Sequence, residues 1–149
     1  MLSPGNLNPT HRTVFGEAPT MDRFTALRGA LRGSGGIAQA DDLARLLDDH
    51  QLGDAVNLAR LIAHHDVFGF EFRAAFWIPM FQFNLRDLSL AYGAAPVVAK
   101  LAEVFDGWML ASWFAWPNPC LGNWRPVDVL DATPTSVLSA AHVARAAWH

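Results

Sequence analysis

Val67-Phe68-Gly69-Phe70-Glu71-Phe72-Arg73-Ala74-Ala75-Phe76-Trp77-Ile78-Pro79-Met80-Phe81-Gln82-Phe83 is the stretch that decides the fold, because here the chain abandons helical spacing. Val67 to Phe72 and Phe76 to Phe83 are aromatic and β-branched, and Arg73, Ala74 and Ala75 between them read as the turn of a β-hairpin. Pro79 has no N–H to give to a ladder, so part of the second strand is expected at a sheet edge.

Everything around this hairpin has helical periodicity. From Thr20, a good N-cap, Met21, Phe24, Leu27, Ala30 and Leu31 step by three and four until Gly33, Gly35 and Gly36. A second helix follows Gln39, with Leu43, Leu46 and Leu47 on one face and Asp41 and Asp42 in the first turn, where the helix dipole favours them. A third runs from Asp54 to His64, and the link from Asp49 to Gly53 is short enough to leave the two as packed neighbours. After the hairpin, Pro96, Val97, Val98, Leu101, Val104 and Phe105 form one helix. Trp108 to Trp116 form another, ended by Pro117 and Pro119. Pro126 opens a one-to-two-turn segment and Pro134 the last helix. The reading is a mainly α protein. Residues 1–19 are a flexible tail, and residues 20–86 are a helix-turn-helix-like unit with a short hairpin. A linker around Asp87 to Gly93 leads to a compact helical unit over residues 94–149.

Composition narrows the function classes. At 149 residues the chain is long enough to fold without staples, and 52% hydrophobic residues exclude global disorder. A net charge of −3, with Lys100 the single lysine, provides no basic field for nonspecific nucleic-acid or lipid binding. One cysteine, Cys120, excludes an internal disulfide and any zinc site needing two thiolates. The first twenty residues lack the apolar run of a signal peptide, so a cytoplasmic protein is expected. The uncharged run from Gly107 to Trp124 is broken by Pro117, Asn118, Pro119, Gly122 and Asn123, which argues against a membrane span.

Helix, turn, helix, hairpin is the order of elements in winged helix-turn-helix modules, and geometry alone would permit DNA binding. The charges oppose it: over residues 37–66, Arg45 and Arg60 stand against Asp41, Asp42, Asp48, Asp49, Asp54 and Asp66, a net −4. Only weak DNA binding is expected. His64 and His65 point about 100° apart on a helix and would not readily share a metal ion; ending the helix is their simpler role, and no metal or cofactor is expected. No glycine-rich phosphate loop or nucleophile elbow occurs, and Cys120 has no neighbour to activate it. The chain therefore reads as non-enzymatic. The densest feature is aromatic: Trp108, Trp113, Trp116 and Trp124, with Phe105 and Phe114. Most such residues form core, but a leftover exposed Trp beside Arg125 has the composition of a protein-binding hot spot.

Trp113-Phe114-Ala115-Trp116-Pro117-Asn118-Pro119-Cys120-Leu121-Gly122-Asn123-Trp124-Arg125-Pro126-Val127-Asp128-Val129-Leu130 resembles the core motif of the toxin-binding domain of Xre/MbcA/ParS-type antitoxins. The matching positions are Trp113, Pro117, Asn118, Leu121, Gly122, Pro126, Val129 and Leu130, and Trp77, Pro79, Phe81, Gln82 and Phe83 are similar to a segment that often precedes this domain. The family's second glycine is Asn123 here, and the chain ends Ala-Ala-Trp-His instead of with a glycine. The resemblance implies a bacterial antitoxin of a type II pair that neutralises a RES-domain toxin, an NAD-degrading enzyme. It would act as a homodimer or a hetero-complex and perform no chemistry. The partner-binding surface is expected among Trp116, Trp124, Arg125, Arg145, Trp148 and His149, with Trp148 and His149 exposed near the chain end. The alternatives are a DNA-binding regulator without a toxin, and a small-molecule-binding protein or enzyme with a Trp-lined pocket.

Overall fold

Most helix starts fall where a side chain or a proline satisfies the first turn. In the computed structural model, which describes residues 19–148, the Thr20 side chain accepts a hydrogen bond from the Arg23 N–H and opens α1, Met21–Ala30. The expected tail, Pro19 apart, lies outside the described residues. Strand β1, Ile37–Gln39, leads into α2, Ala40–Asp49, and α3, Ala55–Ala63. Asp54 and Asn57 cap α3 reciprocally, and His64 and His65 end it, His65 at φ 62°. Both histidines are exposed.

The hairpin is present, but it belongs to a three-stranded antiparallel sheet. β2, Phe70–Phe72, and β3, Ala75–Pro79, are joined by Arg73 and Ala74, both in the left-handed region at φ 52° and 62°. β1 pairs with the other side of β3, giving the order β1-β3-β2. Pro79 therefore lies in the central strand, not at the expected edge.

The register explains how a central proline is tolerated. Phe72 pairs with Ala75 and Phe70 with Trp77, so the next rung of that kind would join Phe68 to Pro79. Proline cannot donate to the Phe68 carbonyl. The side chain of Gln82, only 2% exposed, takes the place of the rung. Its Oε1 accepts from Phe68 N–H at 2.8 Å, and its Nε2 donates to the Phe68 and Pro79 carbonyls, both at 2.9 Å. On the β1 side, Met80 N–H donates to the Gly36 carbonyl at 2.9 Å and carries the ladder past the proline.

Strand alternation divides the interior in two. Ile37, Phe70, Phe72 and Trp77 face a large core that also takes in Phe24, Leu27 and Leu31 of α1. Ala38, Phe76 and Ile78 face a smaller core with Leu43 and Leu47 of α2 and Leu58 of α3. The sheet thus separates α1 from the α2 and α3 layer. The large core continues into the C-terminal helices α4, Ala94–Leu101; α5, Gly107–Ala115; α6, Pro126–Val129; and α7, Pro134–Trp148. Aromatic contacts carry it across: Phe24 stacks on Phe72 at 4.3 Å, Phe70 meets Trp108 edge-on at 5.2 Å, and Phe68 stacks with Phe114 at 6.0 Å.

Two backbone features fix the C-terminal helices to the sheet. Asp106 caps α5 by accepting from Met109 N–H at 2.8 Å. The next residue must be glycine, because a Cβ at Gly107 would lie 1.8 Å from the Gly69 carbonyl oxygen. The segment joining the sheet to α4 is a hydrogen-bonded turn, in which Asn84 N–H donates to the Ser89 carbonyl at 2.7 Å and Phe83 bridges to Leu90. No described helix is long and apolar enough to cross a membrane.

Candidate partner-binding surface

Pro117 shapes the start of the surface by forcing the residue before it to be extended. Trp116 accordingly leaves α5 at φ −109°, ψ 152°, half-buried. Asn118 is the hub of the turn that follows. Its side chain accepts from Cys120 N–H at 2.8 Å, and its N–H donates to the Trp124 carbonyl at 3.0 Å. Its carbonyl accepts from the N–H groups of Leu121 and Asn123, both at 2.9 Å. Gly122 and Asn123 are consecutive left-handed residues at φ 63° and 68°, which only glycine and asparagine adopt at little cost. Asn123 thus serves where the resemblance would put a second glycine. Pro126 is buried at the first position of α6, and Trp113 and Leu130 lie in the core. Leu121 is half-buried against it.

The result of this turn is an exposed Trp124, 62% accessible, beside an engaged Arg125. The Arg125 guanidinium forks onto Asp128, Nε to Oδ2 at 2.7 Å and Nη2 to Oδ1 at 3.0 Å. Its Nη1 donates to the Ala30 carbonyl at 2.6 Å, so the arginine also binds the C-terminal end of α1. That contact spans 95 residues of sequence, and no local pattern announces it.

Arg145 and Trp148 bind a different part of the chain, the connection between α4 and α5. Arg145 donates from Nη2 to Glu103 Oε1 at 2.5 Å, while its Nε is buried with no partner among the described residues. Trp148 corrects the expectation of exposure: it is half-buried and meets Phe105 edge-on at 5.2 Å. A helix end is not free when the chain before it supplies an aromatic shelf, and Glu103 and Phe105 lie too far away in sequence for spacing to reveal that. His149 lies outside the described residues.

Trp108 and Trp113, which would line a small-molecule pocket, are packed in the core. Cys120 is an exposed free thiol. Among the described residues no three His, Cys, Asp or Glu side chains are grouped to hold a metal ion. Comparison of the chain with family models, with curated proteins and with solved structures finds no match.

Proposed function

We propose that this protein is the antitoxin of a type II toxin–antitoxin pair, acting in the cytoplasm by binding and neutralising a RES-domain, NAD-degrading toxin. The observation that carries the reading is the turn from Trp116 to Pro126. Pro117, Asn118, Gly122 and Pro126, four of the residues that resemble the antitoxin motif, have a conformational task there, and the turn holds one large aromatic side chain, Trp124, in solvent between two anchored neighbours. A rigid, exposed Trp next to a fixed arginine is the composition of a binding hot spot. Arg145 and Trp148 brace the last helix that would accompany it into the partner.

The test is co-expression with the protein encoded beside it. A stable complex and rescue of growth from that protein's toxicity are expected, both weakened in Trp124→Ala; no complex with a neighbouring RES-domain protein refutes the reading. One observation favours the DNA-binding alternative, the order helix, strand, helix, helix, hairpin with β1 and β2 flanking β3. The net −4 of the α2 and α3 region opposes it, and a mobility-shift assay on the protein's own promoter decides.

A further inference from the structure

Charge is divided unevenly between the layers, although Asp22 is an acidic residue on α1 and Arg60 a basic one on α3. Beyond the sheet, α2 carries Asp41, Asp42, Asp48 and Asp49 on exposed positions, and the one arginine of that helix, Arg45, pairs with Asp42. No ion pair among the described residues engages the side chains of Asp41, Asp48 or Asp49. On the opposite side of the sheet, Met21, Thr25, Arg28 and Arg32 follow one another at four, three and four residues along one flank of α1 and its continuation, all exposed. Arg28 and Arg32 have no acidic partner among the described residues. Each flank also offers apolar surface: Met21 is among the exposed large hydrophobic side chains on α1, and Leu46 and Leu52 are among those at α2 and just after it.

A basic flank and an acidic flank on opposite faces cannot meet within one molecule, but two copies can bring them together. We propose that copies of this chain associate head to tail, with the Arg28 and Arg32 flank of α1 on one copy seated against the aspartate face of α2 on the next. Charge complementarity selects this occupant over a symmetric dimer through α2 and α3, which would bring two copies of the net −4 region together. Because the two faces differ, the contact is heterologous, and it propagates into open chains or closes into a ring. The contact uses no side chain of turn 116–126, although Arg125 reaches the Ala30 carbonyl between Arg28 and Arg32, and Trp124→Ala is expected to leave the assembly intact.

The experiment is sedimentation velocity of the full chain over a range of concentrations. At about 50 mM salt the weight-average mass is expected to rise with concentration beyond that of a dimer, and at about 500 mM to fall back to monomer, since exposed charges are screened over a few ångströms there. Arg28→Ala/Arg32→Ala and Asp48→Ala/Asp49→Ala are each expected to be monomeric with unchanged circular dichroism. Mixed in equal amounts, they are expected to stop at a one-to-one heterodimer, because one intact face remains on each. A monomer at low salt, an assembly that persists in either variant alone, or a mixture that stays monomeric overturns the proposal.

Discussion

Replacing Gln82 with methionine keeps the length of the side chain and removes its amide. The Phe68 N–H, the Phe68 carbonyl and the Pro79 carbonyl then lose the partners they have at 2.8, 2.9 and 2.9 Å, in a place where Gln82 is only 2% exposed. A buried polar group left without a partner costs about 1–3 kcal/mol, so the three together cost roughly 5 kcal/mol, and a buried methionine regains about 2 kcal/mol through its apolar transfer. A net loss of about 3 kcal/mol is expected, which lowers Tm by about 6–12 °C in a chain of this size. Thermal and urea unfolding measure it. Gln82→Glu sharpens the test, because an ionised carboxylate would face two carbonyls. Burial raises the folded-state pKa of the new carboxyl above its unfolded value of about 4.3, so the variant's stability is highest below that value and is lost as pH rises towards the folded pKa. A methionine variant within about 0.5 kcal/mol of wild type, or a glutamate variant whose deficit does not change with pH, would refute the idea that this amide replaces a rung of the ladder.

Gly107→Ala is expected to cost more than about 3 kcal/mol, because its Cβ would overlap the Gly69 carbonyl; a Tm near wild type would show that α5 slides freely on the sheet. Trp124→Ala is expected to leave Tm unchanged while weakening partner binding by about 2 kcal/mol, read by calorimetric titration. Arg125→Ala is expected to do the reverse in part, lowering Tm through loss of the Asp128 fork and the Ala30 bond. Asp87 is expected to titrate below the ordinary 3.8, because the Ser89 hydroxyl and N–H both donate to its carboxylate; Ser89→Ala removes the hydroxyl and is expected to move the NMR titration back up.

Helix boundaries were legible because their causes are local. Thr20, Asp54, Pro126 and Pro134 each act within one turn of their own position, and the sequence displays that turn. The turn around Asn118 was legible for the same reason, since its asparagine, glycine and prolines set backbone angles directly. Strand β1 was not: three residues after Gly35 and Gly36 are too few to display alternation, and what makes Ile37–Gln39 a strand is a partner some forty residues downstream. Pro79 was misplaced because its rule concerns a missing donor, and the substitute donor is a side chain that register alone brings into position. Of the surface residues, Trp124 could be read as left over from the core. The contacts of Arg125 with Ala30 and of Trp148 with Phe105 depend on tertiary closure, which no window of sequence contains.

Gln39 and Phe70 both pair with Trp77, one on each side of β3. Neighbouring strands lie about 4.8 Å apart, so the chain departs from the sheet and returns to it through a gap of about 10 Å. Residues 40–69 are thus an excursion whose two ends are nearly joined, and three or four extended residues would span that gap. Such an excursion can be lengthened while the strands on either side keep their register, but not removed, because Leu43, Leu47, Leu58 and Val67 share a core with Ile78 on that face of the sheet. The acidic layer, with six of the chain's fourteen acidic residues, is thus attached to the rest of the molecule through one pair of nearly joined ends, and insertions at its exposed turns need not disturb the helices that hold Trp124.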